Sequence, residues 1–536
     1  MSSNPALRPS PAQRRASLWL GLLALLVFTA GAVHQVVIGF DSRFVMFAQE
    51  MLRNGPSFFP TTYGAPYADY SATSTLFIYL LSLPFGHVNS LTTRLPTALA
   101  SAALVVLMYR LLAPYSQRWA LASITLLASS MMFVSETRSV SLDQMVAAIG
   151  FAVFYLAWAG DHFGASRRLG WVFVLLALGF AIRGPIGLVI PTGMLCGYYL
   201  VAGQWRRLFT VGTGALALLA VGIGVTLWLA WLTGGDAFVQ SVVRMQVMGR
   251  IDGSEGTGGA FYYFTSSLGN YAPAYPLAVL TLALLACSRR ARGREGFALL
   301  LAGTAAALMV LVGLSIPIAK KARYVLPMLP MAALVAGYAF QHTGARTLRV
   351  LRVLVQGLWL IVPGALVLGL WIAQRRLGGP VNALIEVSVV LAILQVAAVV
   401  ALLRPRWRHP CLGACAVLAI WLAYVGVVEP LQHEQYDTRQ FSEAVYAQIQ
   451  RDPAPLVLHG LTQDGKAIKF MVNIDADVPA SFTSTAAQLQ ALSAPAYVMV
   501  SQRDWLALPA VVTGRFGQVL SGQFDKEAFV LMRLER

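Results

Sequence analysis

Largely uncharged, apolar stretches recur along this chain from residue 17 to residue 428, most of them close to the roughly 20 residues a helix needs to cross a bilayer. Hydrocarbon offers no partner for backbone N–H and C=O groups, so such a chain is confined to helices that satisfy their own backbone. The candidate spans are 17–38, 92–112, 118–136, 142–159, 170–183, 186–203, 208–233, 271–288, 296–316, 323–341, 349–373, 382–403 and 411–428, about thirteen helices. With 57% hydrophobic and 12% charged residues, a soluble enzyme is excluded and a polytopic α-helical membrane protein is expected. The net charge of +17 comes from arginines in short clusters between apolar segments. That is the pattern of topology signals and anionic headgroup contacts, so membrane lipids are expected partners and nucleic acid is not.

One stretch, 74–88, is apolar but only about fifteen residues long and interrupted by Pro84, which suits an interfacial or re-entrant segment. Charge bias supports that choice. With the basic N-terminus (Arg8, Arg14, Arg15) in the cytoplasm and 74–88 not spanning, the later arginine clusters at 110–118, 167–168, 206–207, 289–294, 346–349 and 404–408 all face the cytoplasm. Arg375 and Arg376 are the main exception. The expected setting is a bacterial inner membrane, with the N-terminus cytoplasmic and the C-terminus periplasmic. The transmembrane domain then covers 1–429, with a first periplasmic loop at about 39–91. Residues 430–536 change character: charged residues become frequent, and strand-like runs (PLVLH, AYVMVS, FVLMRL) alternate with turn-rich stretches. A small soluble α/β domain is expected there.

The residues before 430 include 12 of the 23 Asp and Glu, and most of the 12 fall in connections on the periplasmic side. The two lysines before residue 430, Lys320 and Lys321, fall on that side too, where positive charge is disfavoured. Charge held at one face of a bilayer protein usually serves chemistry or transport. That face offers Asp41 and Arg43 after the first helix, then Asp69 and Tyr70, Arg138 and Asp143, Arg183, Arg250, an aromatic run containing Tyr263, and Lys320-Lys321-Ala322-Arg323-Tyr324. A carboxylate can take a proton from an acceptor hydroxyl, and fixed cations stabilise charge on a departing phosphate. Ordinary readings stand beside these. Asp41 and Asp143 also suit helix capping, Arg138 and Arg183 suit headgroup anchoring, and the aromatic run suits an interfacial belt. The four cysteines read as buried small hydrophobes.

Several motifs resemble the lipid-linked sugar transferases related to protein O-mannosyltransferases, a group that includes the bacterial aminoarabinose (lipid A) transferase. They are Asp41-x-Arg43, Ala48-x-Glu50-Met51-Leu52 with Gly55, Pro66-Tyr67, Arg94-Leu95-Pro96, Arg138 with Asp143, Arg183-Gly184-Pro185-Ile186-Gly187, and Arg323-Tyr324-x-x-Pro327-x-x-Pro330. The resemblance covers roughly residues 38–340. It implies a GT-C fold and an inverting transfer from a polyprenyl-phosphate sugar donor to a periplasmic lipid, glycan or protein. It also implies Asp41 and Asp143 as catalytic carboxylates. Arg183, Arg250, Lys320, Lys321 and Arg323 then meet the donor phosphate, and Arg43, Asp69, Tyr70, Arg138, Tyr263 and Tyr324 line the substrate. Where the related enzymes often carry Asp-Glu and Glu-Lys-Pro-Pro, this chain has Asp41-Ser42 and Asp69-Tyr70-Ser71-Ala72. Those departures leave the use of a divalent cation open. The competing class is a transporter or flippase of lipid-linked sugars, which would carry charges near mid-membrane.

Overall fold

A computed structural model describes residues 8–35, 37, 41–68, 72–165, 168–248, 258–286, 296–341, 346–377, 383–476 and 478–535. Two compact units emerge. One comprises residues 1–30 and 94–428, the other residues 31–93 together with 429–536.

The first unit is built of apolar helices. Among the described residues, nine are long and apolar enough to cross a membrane, or up to eleven if each of two bent pairs is one span. The chain is a multi-pass membrane protein. The expected figure of about thirteen also counts Pro11–Thr29, which carries Arg14 and Arg15, and takes Leu169–Val201 as two helices. That second division has a structural basis. Backbone angles leave the helical region at Arg183 (φ −138°, ψ 21°) and Gly184 (φ 61°, ψ −149°), a positive φ that only glycine adopts readily. A Cβ on Gly187 would lie 2.0 Å from the Gly179 carbonyl oxygen, and one on Gly179 would lie 2.2 Å from that of Gly187. In a straight helix residues eight apart are about 12 Å distant along the axis. The chain therefore doubles back at Arg183-Gly184, and the two glycines let the arms touch. A second break falls at Gly234-Gly235, where Gly235 has φ 63°.

Each break frees backbone carbonyls that must find donors away from water. Helices Gln117–Ala128 and Met131–Thr137 meet at 69°, and the Trp421 indole N–H donates to the buried Ala128 carbonyl at 2.9 Å. Helices Tyr262–Asn270 and Ala274–Ala286 meet at 113°. Nearby, the Tyr271 hydroxyl donates to the Ala322 carbonyl at 2.7 Å, fixing the start of the 3-10 turn Ala322–Met328. At the end of Pro11–Thr29, Arg138 donates through Nη1 to the Phe28 and Ala30 carbonyls at 2.9 and 2.7 Å.

The second unit carries a mixed five-stranded sheet, preceded in the chain by a short hairpin of β1 (Thr61–Thr62) and β2 (Ala65–Pro66). The sheet strands are β3 (Leu456–His459), β4 (Ala480–Thr483), β5 (Ala496–Ser501), β6 (Phe516–Phe524) and β7 (Glu527–Leu534), in the order β4-β3-β5-β7-β6. β3 runs parallel to β4 and β5, while β7 is antiparallel to β5 and β6. The three strand-like runs read from the sequence are β3, β5 and β7. Helix Asp41–Asn54 belongs to this unit and packs on helix Lys466–Ile474. Gln49 Nε2 donates to the Val472 carbonyl at 3.1 Å, and Arg53 pairs with Asp475 at 2.8 Å. The Tyr63 hydroxyl donates to the Ala467 carbonyl at 2.7 Å. Burial pushes the Tyr63 phenol far above its usual range, so it stays a donor. The 74–88 stretch forms a helical segment of ten residues, Leu76–Phe85, too short to span. Leu76, Phe77, Leu80, Leu83 and Phe85 are exposed on it, as an interfacial segment requires.

The doubling back at Arg183-Gly184 yields a test. Gly187→Ala forces a methyl against the Gly179 carbonyl and should lower stability by about 1–3 kcal/mol. Gly193→Ala, with nothing within 4 Å of the new Cβ, should not lower it. Thermal unfolding of both variants in one detergent decides the point, and equal midpoints would refute the close approach.

Candidate functional site

One group of polar side chains in the membrane unit meets at the first turn of helix Leu142–His162. Ser141, not Asp143, is the N-cap, accepting from the Gln144 backbone N–H at 3.2 Å. Asp143 is thereby released for other partners, though its charge still suits the positive end of the helix. It is 3% exposed. Its Oδ1 accepts from Arg183 Nη2 at 3.0 Å, and its Oδ2 lies 3.6 Å from Arg323 Nε. Arg183 is also buried, so it is no headgroup anchor. Its guanidinium lies 5.4 Å from the centre of the Tyr324 ring, while Arg323 and Lys321 lie 6.0 Å from it. Tyr263 is buried, and its hydroxyl bonds to the Lys321 backbone. Phe261, two residues earlier, is 75% exposed.

A network of uncharged groups fixes the turn that carries Asp143. Thr97 Oγ1 accepts from the Ser141 N–H at 3.2 Å, and Ser101 Oγ meets Thr137 Oγ1 at 2.9 Å and Gln144 Nε2 at 2.8 Å. The Ser141 hydroxyl donates to Glu136. Arg94 Nε donates to the Arg138 carbonyl at 3.0 Å. Sequence reasoning passed over Thr97, Ser101, Thr137 and Gln144. The available signal was uncharged polar residues at matching heights in neighbouring spans.

Other expected site residues stand elsewhere. Arg138 is engaged with the carbonyls at the end of Pro11–Thr29, a structural task. Lys320 donates to the Pro317 and Gly258 carbonyls at 2.7 and 3.2 Å. Arg43 belongs to the other unit. It pairs with Asp464 at 3.2 Å and lies 5.4 Å from the centre of the Tyr67 ring, and the Tyr67 hydroxyl donates to the same carboxylate at 3.1 Å. Asp464 was not singled out in the sequence, because nothing local ties it to a residue about 400 positions earlier. Asp69, Tyr70 and Arg250 lie outside the described residues, and of Asp41 only the backbone is described, as the first residue of Asp41–Asn54. Among the described residues, no group of three His, Cys, Asp or Glu is placed to hold a metal ion. A hollow of about 330 Å³ in the second unit is lined by Met46, Glu50, Arg53, Tyr63, Met471 and Val478, none of them a residue expected in the site.

The result is a buried carboxylate holding two guanidiniums, a set of net charge +1, beside Lys321 and two tyrosines. In surroundings of low polarity such a set attracts and orients an anion.

The apolar helical unit and the small C-terminal sheet, together with a likeness to solved structures, show a membrane protein of the GT-C fold. Residues 73–231 match the family model described as dolichyl-phosphate-mannose-protein mannosyltransferase. That stretch, under a third of the chain, contains Arg138, Asp143 and Arg183. The fold over nearly the full length is that of ArnT from Cupriavidus metallidurans. Its crystal structure bound to undecaprenyl phosphate superposes with a TM-score of 0.70 at 16% identity, covering 96% of this chain and 97% of that one. The apo form gives 0.70 at 18% identity, covering 97% and 98%. The oligosaccharyltransferase of Archaeoglobus fulgidus in its apo form aligns more weakly, with a TM-score of 0.44 at 12% identity over 94% of this chain and 73% of that one. No curated protein matches by sequence.

The burial difference between the two carboxylates makes a prediction. Asp143→Asn strands buried guanidinium charge and should cost about 3–5 kcal/mol. Asp464→Asn removes a partner that is 36% exposed in its side chain and should cost at most about 1 kcal/mol. Thermal midpoints of the two variants measure this, and comparable losses would contradict it.

Proposed function

We propose that this chain is an integral-membrane glycosyltransferase that moves a sugar from a polyprenyl-phosphate donor to a periplasmic lipid, glycan or protein, with inversion at the anomeric carbon. The observation that carries the reading is the Asp143–Arg183–Arg323 cluster, a net cationic set within an apolar helical unit. The mannosyltransferase match across residues 73–231 and the fold shared with ArnT, solved with undecaprenyl phosphate bound, support it.

In this reading Arg183 and Arg323, with Lys321, Lys320 and Arg250, neutralise the donor phosphate while its polyprenyl chain stays in the bilayer. Asp143 acts through them. Two guanidiniums face its oxygens, which supports a positioning role for it over that of a proton acceptor. The acceptor oxygen attacks the anomeric carbon, and the bond from that carbon to the phosphate oxygen breaks. Polyprenyl phosphate departs with the bonding pair, and the fixed cations stabilise its added charge. Asp41 takes the proton of a hydroxyl acceptor, a general-base contribution of about 10²–10⁴-fold. If the acceptor is itself a phosphate, no proton needs removing and Asp41 orients the nucleophile. The membrane is the bacterial inner membrane, with the 430–536 domain in the periplasm.

The test uses the full chain in nanodiscs with labelled polyprenyl-phosphate sugars and membrane extract as acceptor. Wild type should transfer label, and Asp41→Asn should lose about 10²-fold or more of turnover at saturating donor. Arg323→Gln should mainly raise KM for the donor. Full turnover by Asp41→Asn would remove its role, and label crossing sealed vesicles without transfer would make the chain a transporter.

A further inference from the structure

Two segments of the second unit lead to residues expected to line the substrate. One is the start of helix Asp41–Asn54, with Arg43, and the other is the stretch after the β1–β2 hairpin, where Tyr67 precedes Asp69 and Tyr70. A single carboxylate of the C-terminal domain grips Arg43 and Tyr67 together. Asp464 lies in the turn before helix Lys466–Ile474. Its Oδ1 and Oδ2 accept from Arg43 Nη2 at 3.2 and 3.3 Å, and Oδ2 also accepts from the Tyr67 hydroxyl at 3.1 Å. The Gly465 N–H donates to Oδ1 at 2.7 Å, which fixes the carboxylate from its own turn. The Arg43 guanidinium lies 5.4 Å from the centre of the Tyr67 ring, so the cation is held between ring and carboxylate. Tyr67 is buried in turn, with its ring 5.2 Å from that of Phe47 and its N–H donating to the Pro60 carbonyl at 2.8 Å.

Other contacts already dock the domain on this helix. Farther along it, Gln49 and Arg53 meet the Val472 carbonyl and Asp475, and Tyr63 of the hairpin meets the Ala467 carbonyl. Lys466 and Lys469, on the helix that follows Asp464, have carboxylates of their own in Glu527 and Asp525. The Asp464 side chain is 36% exposed, so its ion pair adds little to stability. Holding a long guanidinium in one rotamer also costs conformational entropy. A contact that orders a flexible cation at little gain in stability acts by preorganising it. What it orders is placed for chemistry: Arg43 follows Asp41 by two residues on one helix, and Tyr67 precedes Asp69 by two.

We infer that Asp464 is a positioning residue for the transfer reaction. It holds Arg43 and Tyr67, and through them the first turn of the Asp41 helix and the segment that leads to Asp69. The C-terminal domain thereby contributes to turnover through one carboxylate. The inference rests on the transferase reading and deepens it.

The test compares the full-length protein in nanodiscs as wild type, D464N, D475N, R43Q and R43Q/D464N. Transfer of label from polyprenyl-phosphate sugars is measured beside amide hydrogen exchange along helix Asp41–Asn54. An asparagine offers one acceptor oxygen where the Arg43, Tyr67 and Gly465 donors converge. D464N should therefore lower kcat about tenfold with KM for the donor unchanged, and speed exchange in the first turn of the helix. D475N removes a carboxylate from the other end of the same helix pair and should leave kcat unchanged. R43Q/D464N should be at most about twofold slower than R43Q, because Asp464 acts mainly through Arg43. Equal losses of kcat in D464N and D475N would reduce Asp464 to general docking and overturn the inference. Fully multiplicative losses in R43Q/D464N would overturn it too. Transfer by wild type with kcat unchanged in D464N would overturn the inference and leave the transferase reading intact, whereas no transfer by wild type would overturn both.

Discussion

The buried ion pair between Asp143 and Arg183 is the constraint around which the membrane unit is arranged. Desolvating two charges costs several kcal/mol per ion, and the pair persists only where geometry and further partners compensate. Every neighbouring feature contributes to that. Ser141 takes over the cap, so that Asp143 can face its partners. Gly184 supplies the positive φ that turns the chain at Arg183, and the contact between Gly179 and Gly187 holds the arms at the turn. Arg323 adds a second guanidinium, leaving the set with one net positive charge in a region where water is scarce.

Broken helices are the means by which an apolar bundle presents such groups. Breaks and helix ends free carbonyls, and several are met by a long side chain from elsewhere: Trp421 at Ala128, Tyr271 at the start of the Ala322–Met328 turn, Arg138 at Phe28 and Ala30. Arg138 illustrates how a charged residue in a suggestive motif can serve the backbone. A guanidinium with five donors is well suited to two carbonyls at a helix end.

Much of the fold could be read from residue order. Apolar run length located the helices, and the arginine distribution argued against a span at 74–88, where the helical segment Leu76–Phe85 is indeed too short. Short apolar runs between turn-rich stretches marked β3, β5 and β7. The pairing of Arg183 with Asp143 was not legible, because the sequence distance between them carries no sign of contact and both residues had plausible surface roles. Nor was the grouping of residues 31–93 with 429–536 visible. It depends on Arg43–Asp464, Arg53–Asp475 and Tyr63–Ala467, contacts between segments about 400 residues apart. Lys320 stood out as a lysine among arginines, yet its ammonium is engaged by the Gly258 and Pro317 carbonyls. Composition can flag an unusual residue without revealing its partner.

The central claim is that the cations organised by Asp143 read a lipid-borne phosphate. Its most direct test is equilibrium binding of polyprenyl phosphate and of the corresponding polyprenol to the full chain in neutral nanodiscs, for wild type and Arg323→Gln. The account predicts that wild type prefers the phosphate by tenfold or more, about 1.4 kcal/mol, and that Arg323→Gln loses most of that preference while binding polyprenol unchanged. Equal affinity of wild type for the two lipids, or an undiminished preference in Arg323→Gln, would contradict it.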